Sequence, residues 1–182
     1  MRNLHFTRRQ SLGLMAAGAT ALIAPASLAK STPGASITTL QKGSADFDRV
    51  RATMTWNARI AGARTPEAIV EATSTADVVA AVKYARAHNL KVAIRGGGHN
   101  YHGAVLRDGS LLLDLSRLKL IKIDAAGRRA SVGPGIKGGE LIAALAPHNL
   151  AFPVGHCSDV NLSGFLLNGG YGWNLGEWAR PA

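Results

Sequence analysis

The residues of this chain that carry the most chemistry fall in two short glycine-rich segments. The first is Arg95-Gly96-Gly97-Gly98-His99-Asn100-Tyr101-His102-Gly103. Three adjacent glycines let a backbone turn sharply and present successive N–H groups, which is how loops cradle a pyrophosphate. The second is Gly155-His156-Cys157, followed by Ser163-Gly164-Phe165-Leu166-Leu167-Asn168-Gly169-Gly170-Tyr171-Gly172-Trp173. Its grouped glycines would let a flat or anionic ligand approach the main chain closely. Taken alone, either cluster is equally well explained as a tight, packed turn. Cys157 is the single cysteine, so it forms no internal disulfide. Such a thiol is buried and inert, paired between chains, or chemically employed.

Other chemistries fit these residues poorly. His99, His102, His156 and Cys157 are zinc-type donors, but His99 and His102 lie on a glycine turn. Adjacent His156 and Cys157 point apart in extended chain, and no carboxylate partner is evident. No G-x-S-x-G elbow is present to support Ser-His-Asp hydrolysis. The net charge of +10 raises the question of nucleic acid, yet the basic residues are scattered, without a run or an aromatic-interleaved stripe.

The elements that must position these residues read as follows. Thr65-Pro66 is a turn and Ala68 to Ala72 a short strand. A helix follows, with Ser74 or Thr75 as N-cap, Asp77 at its positive end, and Val78, Val79, Val82 and Ala85 at helical spacing through to His88-Asn89. Lys91 to Ile94 is a strand leading directly into the first glycine segment. Strand, helix and strand in this order predict a βαβ unit with neighbouring parallel strands. Ser110 to Leu115 is strand-like, Leu120 to Asp124 and Arg129 to Gly133 predict a hairpin around Ala125-Ala126-Gly127, and Glu140 to Ala146 a small amphipathic helix. From Pro153 to Trp178 the chain is apolar and glycine-rich without clear periodicity. With 47% apolar and 18% charged residues, 182 residues suffice for one domain with a core.

Together the two segments resemble the FAD-linked oxidases of the berberine bridge enzyme type, within the vanillyl-alcohol oxidase family. That family carries R-[SG]-G-G-H after a βαβ unit and, later, a Cys in a G-x-C…GG-x-G stretch. Both occur here, in that order, and the resemblance runs from about Trp56 to Trp178. It implies an α+β fold, a PCMH-type FAD-binding domain with small parallel and antiparallel sheets surrounded by helices, over residues 47–182. It implies that His99 bonds the flavin 8α-methyl and Cys157 bonds C6. A neutral imidazole adds to the electrophilic methide form of that methyl, and a thiolate attacks the electron-poor ring. Arg95, Gly96, Gly97, Gly98, Asn100, Tyr101 and Gly103 would line the cofactor from the first segment. Gly155, Ser163, Gly164, Gly169, Gly170, Tyr171 and Gly172 would do so from the second. Asn168, where the family more often has glycine, and His156-Cys157-Ser158-Asp159, in place of a commoner Cys-Pro, depart from the pattern. The implied reaction takes hydride from a small alcohol, sugar or amine and passes the electrons to oxygen. The family's catalytic base lies in a substrate domain absent from this chain, which reads as truncated, so no catalytic residue is assigned. A flavin-binding module needing a partner chain or a continuation of its gene, and an exported non-enzymatic binding protein, stand as alternatives.

The N-terminus reads as an export signal. Thr7-Arg8-Arg9-Gln10-Ser11-Leu12 leads into an apolar run to Ala24 and a small-x-small site ending at Ala29. The run is too short to span a bilayer; an ordinary secretory signal or an uncleaved anchor is the alternative, and after cleavage no stable membrane anchor is expected. The arginine pair resembles the twin-arginine signal, whose route exports folded proteins and suits a cofactor acquired in the cytoplasm, for a periplasmic or extracellular destination. Removal of residues 1–29 leaves 18 basic and 11 acidic residues, a net +7. Residues 30–46 read as a flexible leader, with structure beginning near Phe47.

Overall fold

A computed structural model describes residue 37 and residues 39–61, 64–173 and 175–178. The export signal assigned to 1–29, and the leader up to residue 36, lie outside the described residues. The elements are β1 (Thr39–Gln41), α1 (Phe47–Thr53), α2 (Ala58–Ala61), β2 (Ala68–Glu71), α3 (Thr75–Ala87), β3 (Lys91–Arg95), β4 (Ser110–Asp114), β5 (Ile121–Asp124), β6 (Arg129–Val132), α4 (Gly138–Leu145), α5 (Leu162–Asn168) and α6 (Leu175–Trp178). They form an α+β fold with one mixed four-stranded sheet, ordered β1-β2-β4-β3, and a separate β5-β6 hairpin.

β1 falls inside the stretch read as a flexible leader, and it pairs antiparallel with β2, Leu40 opposite Ile69. Three polar-flanked residues carry too little pattern to announce a strand, and backbone pairing together with Leu40, packed against the Phe47, Ile69 and Leu112 cluster, holds them. The strands of the βαβ unit are parallel but not neighbours, because β4 inserts between them and pairs parallel with both. That insertion explains the sequence of β4: buried on both faces, Ser-Leu-Leu-Leu-Asp reads as a continuous run rather than an alternation.

Period-two alternation sends neighbouring side chains of β2 and β4 to opposite faces. Val70, Leu111 and Leu113 pack with Ala81 and Ala85 of α3 on one face. Ile69 and Leu112 pack with Phe47, Met54, Val105 and Leu106 on the other. Small alanines on α3 let the helix lie close to the sheet. Its start is fixed by a reciprocal capping box: Asp77 N–H donates to Ser74 Oγ at 3.2 Å and Ser74 N–H to the Asp77 carboxylate at 2.9 Å. Thr73 adds an N–H and a hydroxyl, at 2.9 and 2.8 Å. These bonds, led by that from the Thr73 amide, hold the Asp77 carboxyl below its ordinary value. A third cluster, Ile136, Leu141, Leu145 and Leu162, joins α4 and α5 to the hairpin. α5 and α6 lie in the stretch where the sequence showed no periodicity.

Candidate functional site

Arg95, the last residue of β3, turns its side chain onto the neighbouring strand. Its Nη1 lies 2.9 Å from Asp114 Oδ1 on the adjacent strand, and its Nε donates to the Met54 carbonyl at 2.8 Å. Asp114 is buried and also accepts from Ser116 N–H and Oγ. Arg95 thus ties the end of β3 to β4 and to the end of α1.

The three glycines that follow are required by the fold itself. A Cβ on Gly96 would strike Ser163 Oγ, and one on Gly97 would strike the Asn161 side chain. One on Gly98, whose φ is +70°, would strike the Met54 carbonyl. The first motif therefore packs directly against the start of α5, within the second motif. The backbone at Gly96 and Gly97 meets the side chains of Ser163 and Asn161, and the Ser163 hydroxyl donates to the Pro134 carbonyl at 2.9 Å.

Between them lies a cavity of about 580 Å³, in the range of small-molecule sites. Val92 to Ile94, Gly96, Gly97, Gly98, His99 and Asn100 form one wall; Val160, Asn161, Gly164, Phe165 and Asn168 form another. Within the described chain, the N–H groups of Gly96, Gly97, Gly98 and His99 make no hydrogen bond. Gly164 is the informative glycine of the second wall. A Cβ there would meet nothing within 4 Å, so packing does not demand glycine; the space is left open on the cavity side. Free amide donors on one wall and an open glycine on the other fit an anionic, elongated cofactor such as FAD.

The remaining candidates divide. Tyr101 is exposed, its ring 5.8 Å from that of Trp56, and Gly103 at φ +58° closes the loop by donating to the Asn100 carbonyl. Gly170 is pressed against the Phe165 ring and Gly172 against the Val154 carbonyl, both packing roles. Gly169, at φ +74°, ends α5 with open space around it, and Tyr171 is exposed. Gly155 and His156 line a separate cleft of about 270 Å³ with Trp173, whose ring is 4.2 Å from that of His156. Cys157 is an exposed free thiol in the turn between that cleft and α5, and lines neither cavity. Among the described residues no group of His, Cys, Asp and Glu is placed to hold a metal.

Sequence reasoning missed Trp56, Asn161 and Asp114. Trp56 Nε1 donates to the His99 carbonyl at 2.8 Å, and its ring lies 5.6 Å from the imidazole. Its separation of 43 residues from His99 leaves no local signal. Asn161 is a buried polar residue whose importance appears only when Gly97 packs on it.

A family model described as FAD binding domain matches residues 66–179. (R)-6-hydroxynicotine oxidase of Paenarthrobacter nicotinovorans is 39% identical over 108 residues, 59% of this chain and 24% of that protein. The FAD-linked oxidoreductase janO of Penicillium janthinellum is 37% identical over 123 residues, 65% of this chain and 27% of its own length. Among solved structures, 6-hydroxy-D-nicotine oxidase from Arthrobacter nicotinovorans superposes with a TM-score of 0.69 at 32% identity, covering 78% of this chain and 30% of that one. BBE-like 1 of Physcomitrella patens gives 0.68 at 30% identity, with the same coverage. The chain thus spans about a quarter to a third of the length of these relatives.

Proposed function

This chain belongs to the FAD binding domain family, matched over residues 66–179, and on that footing we propose that it is the FAD-binding portion of an exported FAD-linked oxidase. The observation that carries the reading is the cavity between the two glycine segments, with free amides from Gly96 to His99 on one wall and the open Gly164 on the other. Bound FAD supplies the two-electron chemistry, accepting hydride from an alcohol, sugar or amine and delivering the electrons to oxygen. The relative named (R)-6-hydroxynicotine oxidase supports a small-molecule substrate and oxygen as acceptor.

The residues of the chain bind and fix the cofactor. With FAD bound, amides of the first loop would hold the pyrophosphate, a His99 ring nitrogen would hold the ring through its 8α carbon, and the Cys157 sulfur would hold it through C6. Each link would replace one flavin C–H bond and the His99 N–H or the Cys157 S–H, and the two electrons and two protons released per link would pass to oxygen. The exposure of both His99 and Cys157 leaves them accessible for this chemistry. Two such tethers would fix the ring and make it more oxidising.

The test is to load the 182-residue chain with FAD in air, precipitate it with acid and examine the pellet. Yellow colour in the pellet, released when His99→Ala and Cys157→Ala are combined, supports the reading; a colourless wild-type pellet overturns the covalent attachment. The export reading is tested by Arg8→Lys with Arg9→Lys, which should hold the protein in the cytoplasm. A second reading is that this FAD-binding unit needs a partner chain, or a longer polypeptide, for turnover. It is favoured by the exposed Leu167, Tyr171 and Trp173, 87, 77 and 80% accessible.

A further inference from the structure

We propose that Trp56 is a positioning residue, one that turns the amides of the first glycine loop toward the cavity by holding the carbonyls on the loop's other side. The inference rests on the FAD reading above and adds a residue that no motif in either glycine segment contains.

The carbonyls of the loop are held one after another by donors outside the cavity. Arg95 Nη2 donates to Gly97 O at 3.4 Å, Trp56 N–H to Gly98 O at 3.4 Å, and Trp56 Nε1 to His99 O at 2.8 Å. Farther along, Asn57 Nδ2 donates to Tyr101 O at 3.0 Å and Arg64 Nη2 to His102 O at 2.9 Å. A trans peptide is planar, with the carbonyl of one residue and the N–H of the next on opposite sides. Fixing the carbonyls of Gly97, Gly98 and His99 therefore aims the N–H groups of Gly98, His99 and Asn100 the opposite way. Those three residues line the 580 Å³ cavity. The positive φ of Gly98 completes the concave run of amides that binds anions.

Trp56 supplies two of these donors, and its indole makes the shortest of the carbonyl bonds. Its ring also rests against the imidazole of His99 and the phenol of Tyr101, at 5.6 and 5.8 Å. It is 54% exposed and makes no contribution to the buried core clusters, so its loss leaves the fold standing. Without the indole N–H the peptide after His99 is free to rotate, and one aimed amide is lost.

The experiment compares FAD with riboflavin, which carries the same ring system but no phosphate. Binding to the full chain is measured without oxygen, so that no covalent link forms. Trp56→Phe should weaken FAD about fivefold, the worth of one neutral hydrogen bond, while riboflavin affinity and the thermal midpoint stay unchanged. Trp56→His, which keeps a ring donor, should recover part of the loss. Unchanged FAD affinity, an equal loss for both ligands, or no recovery with Trp56→His overturns the proposal while leaving the cofactor site intact. Failure of the wild-type chain to bind FAD at all overturns the FAD reading and this inference with it.

Discussion

Asn in place of Asp114 is the sharpest perturbation of the scaffold beneath the glycine loop. The Asp114 side chain is 2% accessible and that of Arg95 14%, with 2.9 Å between Oδ1 and Nη1. At that separation and an effective dielectric of about 20, the attraction is roughly 6 kcal/mol before desolvation is subtracted. Asparagine fills the same space but leaves the guanidinium buried without a counter-charge, and it gives up one acceptor from among the bonds to Arg95 and Ser116. Removing one partner of a buried pair costs about 3–5 kcal/mol. That is a large part of the 5–15 kcal/mol by which a domain is ordinarily stable. Replacing both partners, Arg95→Met with Asp114→Leu, should recover much of the loss, because an apolar pair carries no desolvation cost. Urea unfolding of the wild type, Arg95→Met, Asp114→Leu and their double variant closes the cycle, with Asp114→Asn measured beside it. A loss below about 1 kcal/mol for Asp114→Asn, or strict additivity in the double variant, would refute the assignment of Arg95 to the scaffold.

Three further predictions follow from the same geometry. Gly164→Ala should raise stability by roughly 0.5–1 kcal/mol, as expected for a glycine inside a helix, yet weaken FAD binding because the new methyl enters the cavity; the two effects are separated by thermal melts and flavin titration, and a gain in both would contradict the site. Gly97→Ala collides with Asn161 and should cost on the order of 2 kcal/mol or more, read from its urea midpoint. Asp77→Asn should cost about 1 kcal/mol at pH 7 through the capping box. The folded carboxyl lies below its ordinary value, so its contribution is complete above the unfolded value of about 4 and disappears as pH falls through the lower folded one. The gap between variant and wild type should therefore close on acidification, and a gap independent of pH would refute the capping role.

What was legible in the sequence was local. The periodicity and capping residues of α3, the apolar run of β4 and the turn between β5 and β6 each signal their element within a few residues. The helix α5 was hidden because only Leu162 is fully buried while Leu166 and Leu167 face outward, so no amphipathic stripe forms, and Gly164 lowers its helical propensity. The order of strands was equally hidden, since nothing in β3 or β4 states which slot the later strand will take. At the site, the two glycine segments were legible as motifs, but their roles were not. Gly96 to Gly98 serve packing as well as the cavity, Arg95 serves the sheet, and Trp56 acts on His99 from 43 residues away.

Peptide mapping of the FAD-loaded chain is the most direct measurement of whether the loops meet around one flavin. Digestion followed by mass spectrometry should yield a single species in which the peptide containing His99 and the peptide containing Cys157 are joined through one flavin. Recovery of both peptides unmodified, from a protein that binds FAD and releases all of it on denaturation, would contradict the account.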